Sequence, residues 1–297
     1  MDIIRPGKKI DFMRFRKIAY TLSIILIVIS MSSVFFLRGF NYGIDFVGGT
    51  IVQVMFEGHV SAKEIRAALE PIGMKGASIQ NIEDSDKTEF LIRTPKTEDV
   101  EESISLKVKD ALCDAFGSQR VDIRRVEMVG AEVSQELKQK GYLSLFYAGL
   151  GILIYIWWRF ELKFSLGAIL ALVHDVVITV GIFSITGREL SLPVIAALLT
   201  IIGYSLNDTI VVFDRIRENL KNNSSEKILS QINNSVSQTL NRTILTSLTS
   251  FVVVWCLYIF GGEVIHNFAF AMMVGILVGT YSSIFVASPS LYTFTRQ

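Results

Sequence analysis

Five side chains could do chemistry because of where they stand. His174 and Asp175 interrupt one long apolar run, Asn207 and Asp208 another, and Arg242 stands just before a third. A carboxylate placed mid-membrane costs about 2.5–3.5 kcal/mol on insertion scales, so such groups face protein and commonly carry protons or ions. A low-dielectric setting disfavours the charged form of a carboxylate, whereas a nearby cation favours it. An aspartate that moves toward and away from an arginine therefore changes its proton affinity. That is the physical requirement for coupling protonation to motion, and Asp208 with Arg242 could meet it. A static ion pair or a hydrogen-bonded packing aspartate is the competing reading. Asp175 lies on a row of mostly small residues at i+4 spacing, Gly167, Ala171, Asp175 and Thr179, which lets helices approach closely and turns Asp175 toward protein. Adjacent residues point about 100° apart on a helix, so His174 and Asp175 need not touch. A proton relay and a structural hydrogen bond are both open to this pair.

Other chemistries are absent. The chain has no G-x-x-x-x-G-K-[ST] phosphate cradle, no H-E-x-x-H and no G-x-S-x-G. Its histidines stand apart at 59, 174 and 266, and its cysteines are Cys113 and Cys256. No metal site and no cofactor are expected, His59 reads as a surface residue, and the cysteines read as unpaired. Nothing supports an enzyme.

The elements that must position these residues follow from hydropathy. The 297 residues are 51% hydrophobic and 19% charged, against about 25% charged in soluble domains. Six apolar runs are long enough for the roughly 20 residues that cross a bilayer as a helix. They are Ile18 to Leu37, Gly141 to Trp158, Phe164 to Thr186, Leu190 to Phe213, Ile244 to Phe260 and Phe268 to Phe294. Arg5, Lys8, Lys9, Arg14, Arg16, Lys17, Arg159, Lys163, Arg215, Arg217, Lys221, Lys227, Arg242 and Arg296 fall on one side, and only Arg188 lies in the short links of the other. The bias predicts a multi-pass inner-membrane protein with both termini cytoplasmic. The first run is too long for a signal-peptide core, so it is expected to be an uncleaved anchor. The expected division is a tail over 1–17, the first span over 18–37, an outer domain over 38–140, and five spans over 141–297 with a cytoplasmic loop at about 214–243.

The outer block alternates in readable units. Thr50 to Phe56 alternates as a strand. Ser61 with Glu64 forms a capping box ahead of a helix that stops before Pro71. Strands follow at Ala77 to Ile82 and Glu89 to Arg93, turning at Glu83 to Asp86. A helix runs from Thr97 to about Phe116, and Val121 to Met128 is the last strand. The order β-α-β-β-α-β predicts a ferredoxin-like α+β domain between the first two spans, a fold that names no function.

Three further patterns stand out. The last span carries Ala271, Gly275, Gly279, Ser283 and Ala287 at every fourth position, a signal for tight packing within the chain or against a partner. Asp214 to Asn219 reads as a solvated helix end. The segment Ser224 to Leu240 has apolar residues at Ile228, Leu229, Ile232, Val236 and Leu240, expected to lie along the cytoplasmic membrane surface.

Several segments resemble a known family. Phe40-Asn41-Tyr42-Gly43-Ile44-Asp45-Phe46-Val47-Gly48-Gly49-Thr50 is similar to the signature after the first span in the SecF branch of the SecD/SecF family. Ser205-Leu206-Asn207-Asp208-Thr209-Ile210-Val211-Val212-Phe213-Asp214-Arg215-Ile216-Arg217-Glu218-Asn219 resembles its fourth-span signature, and Leu240-Asn241-Arg242-Thr243 and Gly279-Thr280-Tyr281-Ser282-Ser283-Ile284-Phe285 resemble two more. The resemblance extends from Ile10-Asp11-Phe12 to the last span. It implies a subunit of bacterial protein export that pairs with SecD into a twelve-helix bundle of the resistance-nodulation-division superfamily. It also implies association with the SecYEG channel and use of the proton-motive force on translocating preproteins after SecA has driven entry with ATP. Asp208 and Arg242 correspond to the family's proton-pathway residues, and Asp45, Gly48 and Gly49 to a motif where the first span meets the outer domain. The lipid bilayer is the other expected partner, and nucleic acid is not one. A non-transporting scaffold of the translocon and one half of a small-molecule efflux pump are the alternatives.

Overall fold

Apolar runs become helices here because only a helix satisfies its own backbone inside lipid. The computed structural model describes residues 11–74, 77–84, 87–94, 101–222 and 227–295. Six helices are long and apolar enough to cross a membrane: Phe12–Leu37, Ala131–Arg159, Leu162–Thr186, Leu192–Asn222, Ile228–Phe260 and Val264–Phe294. The protein is a multi-pass membrane protein. The chain divides into two compact units, Tyr42–Lys140 and the remainder, Met1–Asn41 with Gly141–Gln297.

In the helical unit the third and sixth spans are central, with 56% of their apolar windows buried, whereas the second has 11%. Small residues explain this. Gly167, Ala171, Asp175 and Thr179 are all buried. A Cβ at Gly167 would come 2.6 Å from Ser290 Oγ, and one at Gly181 would overlap Ser30 of the first span. The row Ala271, Gly275, Gly279, Ser283 and Ala287 is also buried, with Gly275 against Ile201 and Gly279 against Ser205. The last span thus packs on the fourth within the chain. A π turn at Ser283–Ala287 interrupts its α-helix.

Two helices are longer than their apolar runs. The fourth span continues through Asp214 to Asn222, and the fifth begins at Ile228. The segment expected along the membrane surface is therefore the opening of the fifth helix. Its residues Ile232, Val236 and Leu240 are buried in a cluster with Phe12, Met13, Phe213 and Ile216. Side chains stitch the two extensions together: Asn219 donates to Ser235 Oγ at 2.7 Å and Arg215 to Gln238 Oε1 at 2.6 Å. Arg159 donates to both oxygens of Asp214, at 3.0 and 2.8 Å, tying the second span to the fourth. Ser224, like Arg5, Lys8, Lys9 and Arg296, lies outside the described residues.

The other unit has strands at Gly49–Phe56, Ser78–Asp84, Lys87–Thr94 and Val121–Val129, and helices at Ala62–Leu69 and Glu101–Phe116. In space the strands run second, third, first, fourth, every pair antiparallel. This is the ferredoxin-like order. Val52, Val54, Phe56, Ile65, Leu69, Phe90, Ile92, Val108 and Leu112 form its core. The Ser61–Glu64 capping box is present. The second strand extends to Asp84, which pairs with Lys87, so the hairpin is tighter than expected. The expected helix start at Thr97 lies outside the described residues.

Candidate functional site in the helical unit

The ionisable residues fall into two groups. The first centres on Asp175. Its Oδ1 is 2.8 Å from His174 Nδ1, so the neighbours do touch: the imidazole folds back along the helix. Its Oδ2 accepts from Ser205 Oγ of the fourth span at 2.5 Å and from Ser282 Oγ of the sixth at 2.8 Å. His174 Nε2 reaches Ser23 Oγ of the first span at 3.1 Å. Ser23 contacts Tyr281, whose hydroxyl donates to the Ala19 carbonyl at 2.9 Å. Tyr281 also stacks on the imidazole, 5.9 Å between centroids. Three spans meet on one carboxylate with both oxygens engaged, the first span joins through His174, and His174 and Asp175 are 2% and 1% exposed.

The second group centres on Asp208, 4% exposed. It receives one hydrogen bond, from Ser247 Oγ of the fifth span, and that bond is long at 3.3 Å. Thr280 Oγ1 of the sixth span lies 2.7 Å from Ser247 Oγ. Arg242 is exposed, and no ion pair joins it to Asp208 among the described residues. Asn207 is exposed, about 100° around the helix from Asp208. The structure thus brings together His174 with Asp175, places Asp208 in a separate pocket of hydroxyls, and leaves Arg242 and Asn207 on uncovered faces.

Sequence reasoning gave no individual role to Ser205, Thr280, Tyr281 and Ser282, which it met only within signatures, and none to Ser23 and Ser247. Hydroxyls are common in apolar helices, where they bond to their own backbone, so singly they carry no signal. Ser282 and Ser283 both bond inward, to Asp175 and to Thr209 Oγ1, just where the π turn begins. The π turn changes the helical phase there.

In the other unit Gly48 and Gly49 take φ of 76° and 127°. A Cβ at Gly49 would lie 2.6 Å from the Thr94 carbonyl, so only glycine fits the entry to the first strand. Asp45 lies in the short helix Ile44–Val47 just before them.

Comparison with known proteins accounts for both regions. The model for protein export membrane protein SecD/SecF, C-terminal, matches residues 107–297, and that for the SecD/SecF GG motif matches residues 33–58. The chain is 52% identical to protein translocase subunit SecF of Desulfurispirillum indicum, covering 94% of this chain and 90% of that one. It is 46% identical to the subunit of the same name from Calditerrivibrio nitroreducens, covering 98% and 96%. Among solved structures it is similar to SecDF, a translocon-associated membrane protein from Thermus thermophilus, with TM-score 0.88 and 36% identity over 99% of this chain. It spans only 40% of that SecDF chain. A second SecDF structure, in a super-membrane-facing form, matches with TM-score 0.67 and 34% identity. By full-length relatives, two matched motif models and a shared helical architecture, the chain belongs to the SecD/SecF family of protein export membrane proteins.

Proposed function

We propose that this chain is one six-span half of an ion-driven export machine, in which Asp208 takes up and releases a proton and the resulting motion helps move preproteins. Its partner is SecD, its docking site the SecYEG channel, and its place the inner membrane with both termini cytoplasmic. The relatives named SecF support the export role, and the length of SecDF supports a second half supplied in trans. The observation that carries the coupling reading is the poverty of the Asp208 site. It is a buried carboxylate with one long hydrogen bond and no ion pair among the described residues. A group so loosely held can change charge without dismantling a network. Exposed Arg242 and Asn207 on the neighbouring helices suit contact with a partner bundle better than contact with lipid.

The test is late-stage preprotein translocation driven by an imposed proton gradient with SecA-driven ATP hydrolysis stopped. Asp208→Asn should assemble normally and lose the gradient response. Arg242→Lys should impair less than Arg242→Ala, because it keeps the charge but not the planar fork. A wild-type response from Asp208→Asn would leave the scaffold reading, which draws on the saturated Asp175 network. Orientation is tested in a chain whose Cys113 and Cys256 are replaced by serine: Ser118→Cys should label from outside, and Asn222→Cys should not.

A further inference from the structure

The inner face of the fifth helix carries polar residues at strict i+4 spacing: Gln231, Ser235, Thr239, Thr243 and Ser247. They are 2%, 0%, 9%, 1% and 7% exposed. Five buried polar residues on one line are unusual beside the apolar cluster of Val212, Ile216, Ile232, Val236 and Leu240. The line ends on Asp208, through Ser247. It starts at the end of the bundle where the stitched extensions place Arg215, Glu218, Asn219 and Gln238.

The hydroxyls are arranged unequally. Ser235 donates to the Gln231 carbonyl at 2.7 Å and Thr239 to the Ser235 carbonyl at 3.1 Å. Ser235 Oγ also accepts from Asn219 at 2.7 Å, and each hydroxyl oxygen that donates still has acceptor capacity. Thr243 Oγ1 is buried with no hydrogen-bond partner. An unpartnered buried hydroxyl lowers stability, and valine would fill the same space without that cost. A second unpartnered hydroxyl, Tyr204, lies one helical turn from Asp208 toward the opposite end of the bundle. Packing alone accounts for neither.

We propose that the column Gln231, Ser235, Thr239, Thr243, Ser247 is the route by which a proton leaves Asp208 toward the terminus-bearing end of the bundle. The proposal rests on the coupling role given to Asp208 above. Successive rungs are about 6 Å apart along the helix, a gap that one bridging water spans. Neutral Asp208 gives up its proton at Ser247. Each hydroxyl or water along the line accepts one proton and releases one. A water at the mouth leaves as hydronium, Asp208 ends as the carboxylate, and the column is left unchanged. Thr243 is the open rung: with no bond to break, it can accept from one side and donate to the other.

The test is proton flux into vesicles holding an entrapped pH dye, with the full chain reconstituted alongside its co-purified membrane partners. Thr243→Val and Thr239→Val should each slow flux about tenfold, the barrier of one lost hydrogen bond in the chain of transfers. Thr243→Ser should stay within about twofold of wild type on the same grounds. The melting temperature of Thr243→Val should hold or rise, and the pH midpoint of the Asp208 carboxyl infrared band should not move. A structural role would predict loss of stability without rescue by serine. If Thr243→Val and Thr239→Val conduct as wild type while Asp208→Asn does not, the column is packing and the coupling reading stands. If Asp208→Asn also conducts as wild type, the coupling reading falls and the column with it.

Discussion

Among the described residues two carboxylates are buried in this bundle, and they are held in opposite ways. Asp175 is bonded through both oxygens to His174, Ser205 and Ser282, and beyond them to Ser23 and Tyr281. Asp208 has one bond of 3.3 Å, to a serine. A saturated network fixes the geometry of the helices that meet on it, and removing a member leaves the others unsatisfied. A sparsely held group has little structure to lose. The difference teaches that burial alone does not mark a working group. What distinguishes the two is how much of the fold depends on each.

The largest effect should come from exchanging their fates. Asp208→Asn is expected to end gradient-driven translocation while changing stability by under about 1 kcal/mol. Asp175→Ala should cost about 3–5 kcal/mol, as breaking buried charged networks does. Thermal melting in detergent beside the translocation assay separates them, and equal losses of stability would break the comparison. Next, Ser282→Ala takes a partner from a buried Asp175 oxygen and should cost about 1–3 kcal/mol, whereas Ser247→Ala should cost about 1 kcal/mol or less. The same melts read this pair. Gly275→Ala should cost about 1–3 kcal/mol by overpacking against Ile201. It parts the fourth and sixth spans near the Ser205 and Ser282 contacts, so its melt should follow Ser282→Ala and not Ser247→Ala.

The smallest effect belongs to a carboxylate in water. The Ser61 backbone N–H, and then its hydroxyl, hold the Glu64 carboxyl below its ordinary value. A lowered folded value means that the stabilisation is present above the unfolded value and lost as pH falls through the folded one. Protection against amide exchange in the helix Ala62–Leu69, measured relative to the intrinsic rate at each pH, should therefore fall below about pH 4.3, the ordinary glutamate range. Glu64→Gln should flatten that dependence. A steeper response at Glu64 than in the membrane bundle over the same range would undercut the view that charge matters most where it is buried.

Much of the architecture was legible because membrane and sheet impose simple periods. Apolar length located six helices, and alternation with Ser61 and Pro71 as punctuation outlined the ferredoxin-like order. The ends of the fourth and fifth helices were not legible from hydropathy. There, polar pairs such as Asn219 with Ser235 replace lipid as the helix's surroundings. The periodicity of Ile228 to Leu240 was correctly helical, yet nothing in it told a membrane surface from the buried side of a hairpin against Phe12 and Met13. The contact between His174 and Asp175 escaped the helical wheel because a side chain as long as histidine can fold back over its neighbour. The Asp175 network lay hidden among ordinary serines. In contrast, the column from Gln231 to Ser247 was visible as an i+4 period and needed only to be sought on polar residues as well as apolar ones.

The continuous helices of 31 and 33 residues, Leu192–Asn222 and Ile228–Phe260, have a mechanical consequence. At 1.5 Å per residue they measure about 46 and 50 Å, against a hydrocarbon core of about 30 Å. Some 15–20 Å of paired helix therefore projects past the membrane core as a stiff lever. A tilt of about 10°, well within the range transmembrane helices adopt, would swing its tip by roughly 3 Å relative to the membrane edge. The bonds from Asn219 to Ser235 and from Arg215 to Gln238 make the two arms swing as one. A small rearrangement around Asp208 is in this way delivered as a displacement at the surface, where another protein could feel it.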